Sequence, residues 1–453
     1  VAGNASDKQP QGRYYIETWG CQMNVHDSEK LAGSLHAEGY TKAESAEDAD
    51  VILLNTCSIR EKAAEKMFSD LGRIRAIKNR RPELLIGVCG CVAQQEGEAI
   101  FRRAPYVDFV MGPRSTGSLP ETVRRLRGET VRKRTVDTEY RRDSIEFPFD
   151  RIRREGPHSA KAFVTIIEGC NHRCTYCIVP TTRGREVYRP MDQVLAEVRS
   201  LAERGTYEIE FLGQTVNAYR DPEGNTLAEL LHAASEVEGI RRLRFTTSHP
   251  AQMTDAIMDA MAACRPIVCP YLHLPVQSGS TEVLKAMRRG YTRERYLEKI
   301  EALRARIPQI TFGTDIIVGF PTETEEDFQQ TLSLLREVEY DSCYSFAYSP
   351  RPGTASLELV DNVPQEEKAE RLARLQALQK SIQERRQRRW IGREVEVLVE
   401  GPSKTNAERW TGRTPENRVV IFDGETAPGR LERLEIVEST PFSLRGRQVT
   451  PVS

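Results

Sequence analysis

Apolar positions in the first hundred residues fall in short blocks separated by longer amphipathic stretches. YYIET, VILLNT and LLIGV read as strands, and residues 59–79, between the last two, read as an amphipathic helix. This alternation predicts a parallel α/β sheet. From about residue 161 the pattern repeats more often. AFVTIIE, YEIEFLG, LRFTTS, YLHLPV, ITFGTDIIVGF and CYSFAY read as strands, with helices expected over 191–204, 280–287 and 323–338. Six strand-then-helix units predict a partial (β/α)6 barrel, whose chemistry belongs at the C-terminal ends of its strands. After residue 390 the period falls to two in EVEVLVEG, RWTGRT, RVVIFDG and RLEIVES. Short strands broken by Gly and Pro predict a small antiparallel β-barrel of about 60 residues. The charged stretch 121–157 lacks a sustained apolar period and reads as a linker, and the opening VAGNASDKQPQGR reads as a disordered lead-in. The expected α/β division is therefore an N-terminal domain at 13–125, a linker at 126–157, the (β/α) barrel at 158–390 and the small barrel at 391–453.

Composition narrows the function. A chain of 453 residues exceeds one ordinary core, so two or three domains are expected. No apolar run approaches the roughly 20 residues that cross a bilayer, and the start has no secretory layout. The formal net charge of -1 gives no whole-molecule attraction to nucleic acid, so any such partner must be held by local patches. The basic stretches 124–134 and 385–389 are candidates, and each reads equally well as a solvated face. Ten cysteines without an export signal fit a reducing cytoplasmic protein that uses thiols for metal or redox chemistry.

Two cysteine sets carry that chemistry. GCNHRCTYC places Cys170, Cys174 and Cys177 directly after the first barrel strand. A structural zinc site wants four ligands, and the nearest extra donor, His172, lies inside the short loop. A four-iron cluster suits the set better, since three thiolates hold three irons and leave the fourth open. In the N-terminal segment Cys21, Cys57 and Cys91 each follow a predicted strand, about one β/α unit apart. Side chains at the carboxyl ends of parallel strands converge on one crevice. Cysteine is also a common small core residue, but Gln22, Asn24, Asn55, Ser58 and Gln94 make these surroundings polar. The neighbouring Cys89 reads as structural, and Cys264, Cys269 and Cys343 have no partner spacing.

The CxxxCxxC loop resembles the signature of radical S-adenosylmethionine (SAM) enzymes, whose open iron chelates the amino and carboxylate groups of SAM. That resemblance implies SAM contacts at Tyr176, at Gly213 and Gln214 of FLGQTVN, at Ser248 of TTSHP, at Gln277 of HLPVQSGS, and at Asp315, Gly319 and Phe320 of TDIIVGFP. Over nearly the whole chain, ETWGCQMN, NTCSIREKAAEK, GCVAQQEG, EGCNHRCTYCIVPTTRGRE, FLGQTVNAY, TTSHP, HLPVQSGS and LVEGPSK follow the order found in the methylthiotransferases. The similarity is to the MiaB type, which acts on tRNA and ends in an RNA-binding TRAM module. It implies conversion of N6-isopentenyladenosine at tRNA position 37 to its 2-methylthio derivative. It further implies two [4Fe-4S] clusters, the auxiliary one on Cys21, Cys57 and Cys91, two SAM per turnover, an external electron donor such as flavodoxin, and a monomer.

Candidate contacts to the anticodon stem-loop are Arg183 and Arg185 in TTRGRE, and Lys404, Arg409, Trp410 and Arg413 in the small barrel. Each also reads as an ordinary surface residue. GQTVN stands where the family usually has GQNVN, which bears on local substrate contacts. Alternatives within the family are threonylcarbamoyladenosine in tRNA or a ribosomal-protein aspartate as substrate. From another class, an iron-sulfur electron carrier or a silent RNA-binding module is the rival, and SAM cleavage by the reduced protein discriminates it.

Overall fold

In a computed structural model, residues 11–58, 61–129, 133–139, 160–404 and 406–449 are described. The expected lead-in and most of the expected linker lie outside them. The chain forms two units. The first holds the N-terminal residues together with 168–171 and 178–187, and the second holds the rest.

The first unit runs β1 (Gly12–Trp19), α1 (Gln22–Ala37), β2 (Tyr40–Lys42), β3 (Val51–Thr56), α2 (Glu61–Arg80), β4 (Leu85–Gly90), α3 (Cys91–Glu96), α4 (Ala99–Arg103), β5 (Phe109–Met111), α5 (Leu119–Gly128) and β6 (Thr135–Asp137). Its six strands form one sheet in the order β2-β1-β3-β4-β5-β6, parallel throughout. Successive side chains of a strand point to opposite faces, so a sheet covered on both sides needs continuous apolar strands. β3 and β4 satisfy this. Ile52, Leu54, Ile86 and Val88 pack with Met67, Leu71 and Ile74 of α2, while Val51, Leu53 and Leu85 pack with Leu31 and Leu35 of α1 and Val123 and Leu126 of α5.

The charged stretch expected to be linker thus begins with a helix and a strand. In α5, Leu119, Val123 and Leu126 are buried and the arginines point away. Three apolar residues suffice to dock a 10-residue helix, but they are too few to stand out as a sustained period.

The second unit begins with β7 (Lys161–Thr165). Two short strands, β8 (Ile167–Glu168) and β9 (Val187–Tyr188), flank α6 (Val179–Arg183), which belongs to the first unit. Then follow α7 (Met191–Glu203), β10 (Glu208–Leu212), α8 (Leu227–Ser235), β11 (Arg242–Phe245), α9 (Asp255–Ala263), β12 (Tyr271–His273), α10 (Thr281–Ala286), α11 (Arg293–Arg306), β13 (Thr311–Val318), α12 (Glu325–Val338) and β14 (Ser342–Ala347). Parallel sheets β11-β10-β7 and β12-β13-β14 are joined where Leu243 bridges to Val268. This is the six-stranded partial barrel that the periodicity predicts. Its main core lies between the strands and the surrounding helices.

After α13 (Gln365–Arg388) come β15 (Glu394–Pro402), β16 (Trp410–Arg413), β17 (Val419–Phe422), β18 (Leu431–Ser439) and β19 (Leu444–Gln448). They close as β15-β16-β17-β19-β18 around Val397, Val399, Val420, Phe422, Leu434 and Ile436. Four of these strands are legible from alternation; LRGRQ of β19 offers one buried apolar side chain, Leu444. No helix among the described residues is long and apolar enough to cross a membrane.

Candidate active site and metal centres

In the first unit the parallel register brings three cysteines to one edge. Trp19 pairs with Thr56 and Thr56 with Gly90, so Cys21, Cys57 and Cys91 leave neighbouring strand ends together. Two glycines make this approach possible. A Cβ at Gly20 (φ +151°) would lie 2.6 Å from Cys57 Cβ, and one at Gly90 (φ +89°) would lie 2.3 Å from Asn55 Oδ1. Polar side chains then frame the crevice. Asn55 Nδ2 donates to the Asn24 carbonyl at 2.8 Å and to Ser28 Oγ at 2.9 Å, and Cys21 Sγ donates to Asn24 Oδ1 at 3.4 Å.

The cysteines differ in acidity. A hydrogen bond with Cys57 lowers the Cys21 thiol to about 6 against the opposing effect of burial, with the charge of Arg183 assisting. Burial raises Cys91, and Arg183, within hydrogen-bonding reach of its sulfur, partly offsets this. Cys89 is in the sheet core, pushed by burial up to about 12, in keeping with a structural thiol.

Arg183 itself is a correction to the sequence reading. Expected as an RNA contact, it is 4% exposed and its Nη2 donates to Asp27 Oδ2 at 2.5 Å. Lys30 continues the buried chain, with Nζ 2.9 Å from Glu168 Oε1 and 3.9 Å from Asp27 Oδ1. Basicity is visible in a sequence, but burial beside a thiol group is not. The remaining Arg183 amine, Nη1, is buried and completes no hydrogen bond. Arg185, two residues on, is exposed.

The loop with Cys170, Cys174 and Cys177 is held by hydrogen bonds near each end. Cys170 N donates to the Gly184 carbonyl at 3.1 Å, and Asn171 Nδ2 donates to Glu186 Oε2 at 2.9 Å. In the second unit Thr175 N donates to the Met287 carbonyl at 3.1 Å, and Ser356 N to the Thr175 carbonyl at 2.8 Å. Here the structure adds a residue that sequence reasoning missed. Arg289 is buried, with Nη1 3.3 Å from Cys174 Sγ, Nη2 donating to the Pro275 carbonyl at 3.0 Å and Nε to Tyr291 OH at 3.1 Å. A run of two arginines, Arg288 and Arg289, was the only signal, and it does not separate the buried one from the exposed.

Among the expected SAM contacts, Tyr176 packs on the cluster of Val283, Met287, Phe320 and Tyr348. Phe320 is 0% exposed within it, edge-on to Tyr348 at 5.3 Å, so its ring belongs to the packing and presents no surface to a ligand. Gly213 lies where a Cβ would be 2.2 Å from Ile167 Cγ2, Gln214 is half-buried at the same strand end, and Gly319 N donates to Glu323 Oε1 at 2.8 Å. Gln277 takes φ +74°, an uncommon conformation for a side chain of its size, held by its N to the Asp315 carbonyl at 2.9 Å. Asp315 Oδ1 lies 3.0 Å from His273 Nε2.

Beyond β11, Ser248 Oγ and His249 Nε2 are buried without hydrogen-bond partners. His249 stacks on His172 at 3.9 Å, and its Nδ1 accepts from Ala251 N at 3.2 Å, which puts the proton on Nε2. Burial, then the charge of Arg289, pushes it down to about 2, so the ring is neutral. Orphaned polar atoms at a strand's C-terminal end suit a polar ligand.

The small-barrel candidates are less uniform. Lys404 is exposed, Arg409 Nε donates to Asp423 Oδ1 at 3.1 Å, Trp410 Nε1 to the Gly424 carbonyl at 3.0 Å, and Arg413 Nε to Glu400 Oε1 at 3.0 Å.

None of the ten cysteines is in a disulfide. No three His, Cys, Asp or Glu side chains among the described residues are set as for a single metal ion. The donor sets nonetheless fit iron-sulfur ligation, with three thiols and one buried guanidinium against a sulfur in the crevice, and a thiol-rich loop with its own arginine.

Comparison with known proteins agrees with this architecture. Residues 13–112 match the Uncharacterized protein family UPF0004, 164–335 the Radical SAM superfamily and 388–449 the TRAM domain. The fold is also that of the cobalamin-dependent radical SAM enzyme OxsB (TM-score 0.52, 14% identity, covering 82% of this chain and 56% of that one). It is likewise similar to the radical SAM methyltransferase TsrM from Kitasatospora setae (TM-score 0.55, 15% identity, 76% of each chain). These define a radical SAM protein with a TRAM domain, and SAM with a [4Fe-4S] cluster are its cofactors.

Along the full chain the similarity is closer. The tRNA-2-methylthio-N(6)-dimethylallyladenosine synthase of Bordetella bronchiseptica is 47% identical over 98% of this chain and 94% of its own length. Those of Methylococcus capsulatus (47%, 96% and 95%) and Aeromonas salmonicida (48%, 96% and 91%) are comparable. The chain belongs to the tRNA-2-methylthio-N(6)-dimethylallyladenosine synthase family.

Proposed function

We propose that this protein converts N6-isopentenyladenosine, that is N6-dimethylallyladenosine, at tRNA position 37 to its 2-methylthio derivative. Full-length identity to synthases named for that product carries the reading. Cys170, Cys174 and Cys177 would hold the radical SAM cluster, and Cys21, Cys57 and Cys91 a second one. Once bound, these groups and two SAM per turnover supply a radical that can take the hydrogen from unactivated adenine C2, and a methylated sulfur to replace it.

The chain's own residues prepare the ground. Convergent strand ends present Cys21, Cys57 and Cys91 together, and the lowered pKa of Cys21 favours the thiolate that binds iron. Arg183 and Arg289 place a fixed positive charge against Cys91 and Cys174, offsetting thiolate charge away from water. Tyr176, packed on the cluster of Phe320 and Tyr348, would form a wall for an adenine ring, and Gln277, Asp315, Gly319, Ser248, Gly213 and Gln214 would supply the polar or closely approachable positions for the rest of SAM. Arg185, Lys404, Arg409, Trp410 and Arg413 supply charge and a stacking surface for the anticodon stem-loop. An external donor such as flavodoxin, a monomeric state and a cytoplasmic setting complete the reading.

The test is anaerobic reconstitution with iron and sulfide, followed by reaction with SAM, reductant and isopentenylated anticodon stem-loop RNA. Mass spectrometry of the nucleosides should find the 2-methylthio product. Formation of 5'-deoxyadenosine with unchanged RNA would pass the substrate to threonylcarbamoyladenosine or a protein aspartate.

A further inference from the structure

Among the described residues, exposed large apolar side chains are mostly scattered singly, but Tyr344 (58% exposed) and Phe346 (45%) stand two apart on β14. Strand alternation puts them on one face. Their cross-strand partners are Asp315 and Ile317 of β13, and Ser345 between them accepts a hydrogen bond from Gln376 of α13 at 3.3 Å on the other face. Phe312, Ile316 and Val318 of β13 point into the core against the helices. The face of Asp315, Ile317, Tyr344 and Phe346 is therefore the inner face of the partial barrel, where its chemistry belongs.

That face changes character along the strand. At the Tyr344 level it is polar: His273 is edge-on to the Tyr344 ring at 6.4 Å and bonded to Asp315. One step toward the strand's C-terminal end, Phe346 lies opposite half-buried Ile317. Gln277, which bridges to Ile316, borders the same level. A large aromatic side chain is left in water on the inside of an enzyme barrel at a cost, and an apolar ligand group removes that cost. The target base carries such a group, a branched five-carbon alkene next to a polar ring. A carboxylate-bearing substituent would lose its hydration against Phe346 and Ile317 without compensation.

We propose that Phe346, Ile317 and Tyr344 form the wall that receives the dimethylallyl group of the target adenosine and selects it over other N6 substituents. This rests on the function proposed above. The test measures affinity of the full chain for three anticodon stem-loops, identical except for dimethylallyladenosine, adenosine or threonylcarbamoyladenosine at the target position. The native protein should prefer the first by about tenfold, and Phe346→Ser and Tyr344→Ser should bring the ratio to within about twofold, while Phe346→Leu keeps it. Serine variants that retain the full preference, or that lose affinity equally for all three RNAs, would overturn the assignment. Native enzyme that makes the methylthio product while its serine variants still discriminate removes the wall and leaves the function standing. Absence of that product removes the function itself, and the wall with it.

Discussion

Arg183 and His249 show how burial redefines a residue. Arg183 is tied to Asp27 and lies against Cys91, so Arg183→Gln strands a buried carboxylate and removes the charge that faces the thiols. We expect a loss of about 3–5 kcal/mol in urea unfolding of the apoprotein, because one partner of a buried pair is left behind. In a variant lacking Cys170, Cys174 and Cys177, the same change should lower the iron retained after reconstitution, with Arg183→Lys recovering part of it. For His249, the folded ring resists protonation down to about pH 2, whereas the unfolded side chain protonates near 6.5. The unfolded state therefore binds the extra proton below pH 6.5. Stability present at neutral pH should fall on acidification, by up to about 1.4 kcal/mol per pH unit, and His249→Asn should flatten that slope in urea titrations at pH 7 and pH 5.

Elements were legible in proportion to how long their apolar pattern runs. The strands before Cys57 and Cys91 are continuous buried blocks, and the one before Cys21 is a shorter apolar run within GRYYIETW, so the three strand ends could be read directly. Short elements could not: α5 hides three buried side chains among arginines, and β19 hides Leu444 in LRGRQ. If α5 seals the sheet face it packs on, Leu126→Ala should destabilise the first unit by about 2–5 kcal/mol, read as a lowered denaturation midpoint. An unchanged midpoint would return the segment to linker status. Side-chain environment was the least legible level. Nothing in TTRGRE tells that one arginine is buried and the other exposed, because that depends on which helix faces α6.

Within the second unit, the small barrel is joined to the partial barrel by buried charge. Arg244 Nε donates to Glu208 Oε1 at 3.0 Å, while its Nη2 and Nη1 donate to the carbonyls of Thr414 and Pro415 at 2.7 and 2.8 Å. Arg242 Nη1 adds the Arg413 carbonyl at 2.9 Å, and Arg418 joins Gln387 and Asp341. Such side-chain-to-backbone ties read a loop's shape rather than its sequence, which explains why composition did not reveal them. Arg244→Ala should speed release of the C-terminal 60 or so residues in limited proteolysis, a typical small-barrel length. Equal rates would mean that packing alone holds the module.

The first unit is not a continuous length of chain, since α6 returns to it from beyond β7. A gene fragment ending where the UPF0004 match ends would carry Cys21, Cys57 and Cys91 and omit Arg183. The domain that looks most portable on paper is therefore not a transplantable cassette. Recombination or protein engineering at that seam would inherit the three thiols proposed for the second cluster without the cation that faces Cys91.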